Sequence, residues 1–185
     1  MLGVRVSQWT MGYFAVAIFF LLVGQATLAW IGLPTLGGLE RPLLLVAVHL
    51  LTVGWLTLLM LGALHQFIPV ISNQPLASDK ATGIALVLAI VGLLSLLDGF
   101  AALAYPVGMP FLLPVGGTFL LLACGIAGAN LAVTLHRARP LAFSARFVAA
   151  ALVSLLLTVL LGLVLALSIA VPQMPRSLSG AMLSH

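Results

Sequence analysis

From Pro42 to Ile71 the sequence contains no Asp, Glu, Lys or Arg. About 20 consecutive apolar residues are enough to cross the hydrocarbon core of a bilayer, so this stretch constrains the fold more than any other feature. Four more stretches pass the same length test: Met11–Leu33, Ala81–Tyr105, Pro110–Leu135 and Phe147–Val171, with Asp98 the sole charged residue among them. In lipid every backbone N–H and C=O must be satisfied within the protein, which leaves helices or a closed barrel. The apolar/polar alternation of barrel strands is absent. The sequence therefore predicts an all-α polytopic transmembrane bundle of five spans, with residues 1–185 forming one transmembrane domain.

Composition points the same way. The chain is 63% hydrophobic and 5% charged, against about 25% charged residues in an ordinary soluble domain. So few charges cannot cover a water-facing surface, and the lipid bilayer is the expected partner. The first apolar run is longer than the ~7–15 residues of a signal-peptide core and reads as the first span, not as a cleaved leader. Seven basic residues face three acidic ones, but no basic patch carries interleaved aromatics, so nucleic-acid binding has no support. The excess reads as topology. Arg5, Lys80, Arg137, Arg139 and Arg146 fall on the N-terminal side, and Arg41 and Arg176 on the other. The positive-inside rule then places the N-terminus in the cytoplasm, as in a bacterial inner membrane protein. Trp9 near one interface, with Trp30 and Tyr105 near the other, matches aromatic belts.

The breaks between spans carry ordinary turn chemistry. Pro34 and Gly37-Gly38 precede Pro42; Ser72-Asn73-Gln74-Pro75 precedes Asp79; Pro106 and Pro110 frame a short turn; His136 to Pro140 forms a basic loop. Pro42 and Pro110 suit first-turn positions, where a missing N–H costs nothing. Gly12, Gly24, Gly54, Gly62, Gly92, Gly125 and Gly128 lie within spans and could allow close helix approach. Cys124, the single cysteine, permits no intrachain disulfide and reads as a small buried apolar residue.

The polar residues left inside the spans are few, and intramembrane ionisable groups are usually kept for function. His49 lies seven residues from Pro42, roughly 10 Å along the axis, and Asp98 lies at the same distance from Tyr105 on the next span. Neutral imidazole is a common metal and haem ligand. Asp98 could accept the second N–H of such an imidazole and fix its tautomer. It could equally pair with His49 without a metal or belong to a proton path. His65 is roughly 24 Å further along the same helix, about 160° away in a regular α-helix, so the two histidines do not serve one site. His65 reads as an interfacial histidine reaching headgroups or water, with a weaker alternative as a cofactor ligand. His136 suits a helix C-terminus, where the dipole favours it; a His65–His136 ligand pair would require staggered helices. No HExxH, Walker loop, GxGxxG or GxSxG motif occurs, and three acids exclude paired-carboxylate chemistry.

The segment from His49 through Gly54-Trp55 and Gly62 to Pro69 resembles the second transmembrane helix of haem–copper oxidase catalytic subunits. It is also similar to their diverged relatives, including NnrS-type membrane proteins. An early His, a Gly-Trp pair, a later Gly and a closing Pro carry the resemblance. It implies that His49 is an axial ligand of haem, with its partner ligand on another helix or chain; Asp98, at matched depth, is the candidate supporting group. The function implied is electron transfer or the handling of a diatomic gas, possible as part of a respiratory oxidoreductase. Oxidase subunits have many more spans, with further metal ligands on helices absent here. On this reading the chain is an N-terminal part, a split subunit or a shortened relative, not catalytic alone. Two other classes remain: a cofactor-free structural or assembly subunit of a larger membrane complex or homo-oligomer, and a small proton-linked transporter using His49 and Asp98.

Overall fold

In a computed structural model of the chain, residues 8–32, 42–105, 109–137 and 143–170 are described. They form five helices: α1 (Gln8–Ile31), α2 (Pro42–Ser72), α3 (Asp79–Ala104), α4 (Leu112–His136) and α5 (Phe143–Ala170). All five are long and apolar enough to span a membrane, and each expected span is matched to within four residues. Arg5, Arg41, Arg139, Arg176 and His185 lie outside the described residues, as do the turn residues Pro34, Gly37, Gly38, Pro106 and Pro140.

Apolar burial gives little drive for helix association in lipid, so close van der Waals packing has to supply it. Glycine makes that contact possible at two seams. Between α3 and α4, a Cβ on Gly116 would stand 2.6 Å from the Leu96 amide nitrogen and 2.7 Å from the Gly92 carbonyl oxygen. The two backbones touch there, and any side chain would force them apart. Between α1 and α2, Gly54 packs under Phe20 and Gly62 under Tyr13, each leaving 2.8 Å for a Cβ. Gly125 does not serve this purpose: open space surrounds it, and Gly128 has only an ordinary contact with Leu156.

The start of α3 is fixed by sequence-local and long-range bonds together. Ser78 has extended backbone angles, and its hydroxyl accepts the Ala81 N–H at 3.2 Å, satisfying one unpaired N–H of the first turn. Asp79 adds a negative charge at the positive end of the helix dipole. Asn130 of α4 then clamps this cap. Its Oδ1 accepts the Ser78 N–H at 2.9 Å, and its Nδ2 donates to the Ser78 carbonyl at 3.0 Å and to Thr82 Oγ1 at 3.1 Å. Thr134 Oγ1 accepts the Ala77 N–H at 3.0 Å, and Tyr13 of α1 donates to the Thr82 carbonyl at 3.3 Å. Three helices are thus tied at one end of the bundle. Nearby, α2 ends at Asn73, whose left-handed φ of 49° lets the Gln74 N–H reach back to the Pro69 carbonyl, a Schellman-type stop.

The middle of α2 departs from the regular α-helix expected of it. Residues Leu50–Thr57 form a π-helix, with i→i+5 bonding and a wider turn. Thr57 Oγ1 donates to the Thr52 carbonyl, five residues back, at 2.9 Å. Each residue of that segment advances by less than 100°, so the 160° separation expected between His49 and His65 does not describe this helix. At the far side of the bundle, α5 packs chiefly on α4 and is 6% buried over its apolar window.

Candidate functional site

His49 stands at the last α-helical position before the π segment. Its Nδ1 is 2.8 Å from the Leu45 carbonyl oxygen. A carbonyl only accepts, so Nδ1 carries the proton and Nε2 keeps its lone pair. Among the described residues, no protein group is hydrogen-bonded to Nε2. This is the tautomer of a metal-ligating histidine whose ring is oriented by a backbone carbonyl. The ring leans on Phe100 of α3, with centroids 4.8 Å apart at 39°.

That imidazole lines a partly open cavity of about 360 Å³ between α2, α3, α4 and α5. The volume falls in the ~300–1,000 Å³ range of small-molecule and cofactor sites. Leu96 and Phe100 come from α3, Leu120 and Cys124 from α4, and Val159 and Leu163 from α5. The three threonines on the walls spend their protons on their own helices: Thr52 on Val48, Thr57 on Thr52 and Thr158 on Ser154. The cavity is therefore apolar, and His49 Nε2 and the Cys124 thiol are its two groups able to ligate a soft or borderline metal. No cluster of three or more His, Cys, Asp or Glu occurs among the described residues.

These residues fit a flat apolar group held by one imidazole. The leucine-rich walls and the His49 Nε2 lone pair are what would hold such a group. Among the described residues, no second histidine and no cationic side chain lines the cavity. A partner ligand, if histidine, comes from elsewhere.

Asp98 is not the support of His49. The Leu45 carbonyl already holds Nδ1, and Asp98 is exposed, with no hydrogen bond or ion pair among the described residues. Matched depth gave the height of the carboxylate along α3 but not its direction. Leu96 and Phe100 face inward, whereas Asp98 continues the outward stripe of Val87, Val91 and Leu94.

His65 also differs from expectation. It does not reach headgroups or water: it is 3% exposed and stacks on Tyr13 of α1, with centroids 5.5 Å apart and planes at 24°. Its Nδ1 is 2.7 Å from the Leu61 carbonyl, and its Nε2 is buried without a hydrogen-bond partner, as is Thr10 Oγ1. It makes no hydrogen bond to His136, which ends α4. Sequence reading missed the Asn130 clamp. Its signal was an amide inside an apolar span, where an unpaired polar group is costly.

Set beside models of protein families, curated proteins and solved structures, the chain matches none of them.

Proposed function

We propose that this protein is a haem-associated integral membrane protein, similar to the N-terminal part of a haem–copper oxidase-like subunit. It would act in electron transfer or diatomic-gas handling. The observation that carries the reading is His49: an imidazole with a free Nε2 on the wall of an apolar intramembrane cavity, its tautomer fixed by Leu45. The adjoining π segment supports it, because such insertions occur frequently at functional sites. Bound there, haem would supply one-electron and gas-binding chemistry. The chain would supply the axial nitrogen, the Phe100 contact and the exclusion of water.

An absorption spectrum of the detergent-purified, haem-loaded protein, oxidised and reduced, tests this. A Soret band with sharp reduced bands is expected in the wild type, lost in His49→Ala and retained in His65→Phe. Gly162→Leu is a second probe. Gly162 lines the cavity with open space where a side chain would go, so the leucine should obstruct loading without disturbing the fold. No band in the loaded wild type, or equal bands in all variants, would overturn the reading.

A second reading, a subunit of a larger membrane assembly, is favoured by the thin burial of α5 and by the outward carboxylate of Asp98. Cross-linking and native sizing in membranes test it: a strictly monomeric chain would sink it. The charge distribution supports an N-terminus in the cytoplasm, in a bacterial inner membrane. Accessibility of single cysteines placed beside Lys80 and Tyr105 tests that orientation.

A further inference from the structure

Asp98 lies on the exposed stripe of α3, in line with Val87, Val91 and Leu94, with no hydrogen bond or ion pair among the described residues. It is six residues from the end of a 26-residue helix. At 1.5 Å per residue the helix is about 39 Å long and Asp98 lies about 9 Å inside its end. Centred in a core of about 30 Å, the carboxyl is about 5 Å below the hydrocarbon boundary. A short aspartate lacks the long stem by which lysine and arginine reach the interface. Hydrocarbon offers it no donor, and intramembrane carboxylates almost always face protein or a water-filled cavity.

From this placement we infer that the outward stripe of α3 docks a transmembrane helix of a different protein that carries a basic side chain at the depth of Asp98. This rests on the assembly-subunit reading and names the chemistry of the partner. A second copy is the poorer match. A parallel two-fold on this stripe brings Asp98 against Asp98, and like charges at close range repel. The described basic residues Lys80, Arg137 and Arg146 stand at the opposite end of the bundle. Lys80 is on the same stripe, eighteen residues before Asp98, about 27 Å away. His49 faces the interior cavity. Among the described residues none supplies the complementary charge at the depth of Asp98, so the docked helix has to bring it.

The test uses the full chain in phosphatidylcholine vesicles with a labelled leucine–alanine transmembrane peptide bearing one lysine at the matching depth. Energy transfer from the labelled chain should report association about tenfold tighter for wild type than for Asp98→Asn, the size expected of one intramembrane polar contact. A peptide with leucine in place of the lysine should not distinguish the two proteins. Asp98 is exposed, so the variant should fold, and its haem-loaded spectrum checks that independently. Equal binding of the lysine peptide to both proteins would overturn the proposal. So would self-association of the wild type that disappears in Asp98→Asn. Native cross-links that persist while the lysine peptide fails would leave the assembly reading standing and sink only the partner chemistry.

Discussion

At one end of α2, His49 donates its Nδ1 proton to the carbonyl four residues back; at the other end, His65 does the same. The local bond is identical, and so is the tautomer. The surroundings of the two rings differ. His49 meets an apolar cavity shared by four helices, next to a π segment that widens the backbone. His65 is stacked on Tyr13, close to the end where Asn130, Thr82 and Ser78 tie α3 to α4. One end of the bundle is held by hydrogen bonds and filled. The other relies on apolar contact and leaves room. A histidine's role is thus set by what its second nitrogen finds, which neither its residue type nor its backbone bond determines.

The largest effect that sharpens this contrast is at His49. His49→Phe should abolish haem loading, read as loss of the Soret band, while leaving thermal stability nearly unchanged because an aromatic ring still meets Phe100. Equal loading in that variant would erase the distinction between the two ends. His65 should behave in the opposite sense. His65→Ala opens a hole beneath Tyr13 and should cost about 3 kcal/mol, the scale of a large-to-small core change. His65→Phe keeps the ring stack and removes Nδ1, bonded to the Leu61 carbonyl, together with Nε2, which is buried without a partner. It should stay within about 1 kcal/mol of wild type, or gain, because replacing an unsatisfied polar atom with an apolar one can stabilise. Unfolding titrations in mixed detergent measure both. A His65→Phe loss as large as that of His65→Ala would mean that the ring nitrogens, not the stack on Tyr13, hold this end of α2.

The five spans were legible in the sequence because hydropathy and length alone decide them. Three features depend on information that local reading lacks. The direction of Asp98 is set by which face of α3 meets α2 and α4, and depth carries no azimuth. The clamp joins Ser78 to Asn130 across 52 positions of sequence. The π segment uses the same apolar residues as an α-helix, so no change of composition announces it.

Asn130→Leu probes the tied end. The substitution fills similar space but strips the Ser78 N–H of its partner and leaves the Ser78 carbonyl only its bonds to Thr82, so a loss of about 2 kcal/mol is expected, within the range for buried polar contacts left open. Its haem-loaded spectrum should be unchanged. A lost spectrum with intact stability would couple the clamp to the cavity and break the separation of the two ends.

The smallest expected effect concerns the π segment. Thr57 and Thr52 both line the cavity, and both donate to their own helix. Thr52 reaches Val48, four residues back, which an ordinary α turn also provides. Thr57 reaches Thr52, five residues back, which suits the widened turn. Valine has the shape of threonine without the donor. Thr57→Val should therefore loosen the segment by about 1 kcal/mol, the net worth of one hydrogen bond, whereas Thr52→Val should leave it alone. Amide hydrogen exchange over residues 50–57 separates them: faster exchange is expected in Thr57→Val only. Equal protection in both variants would show that helix packing around Gly54 and Phe20, not the threonine bond, holds the π turn beside His49.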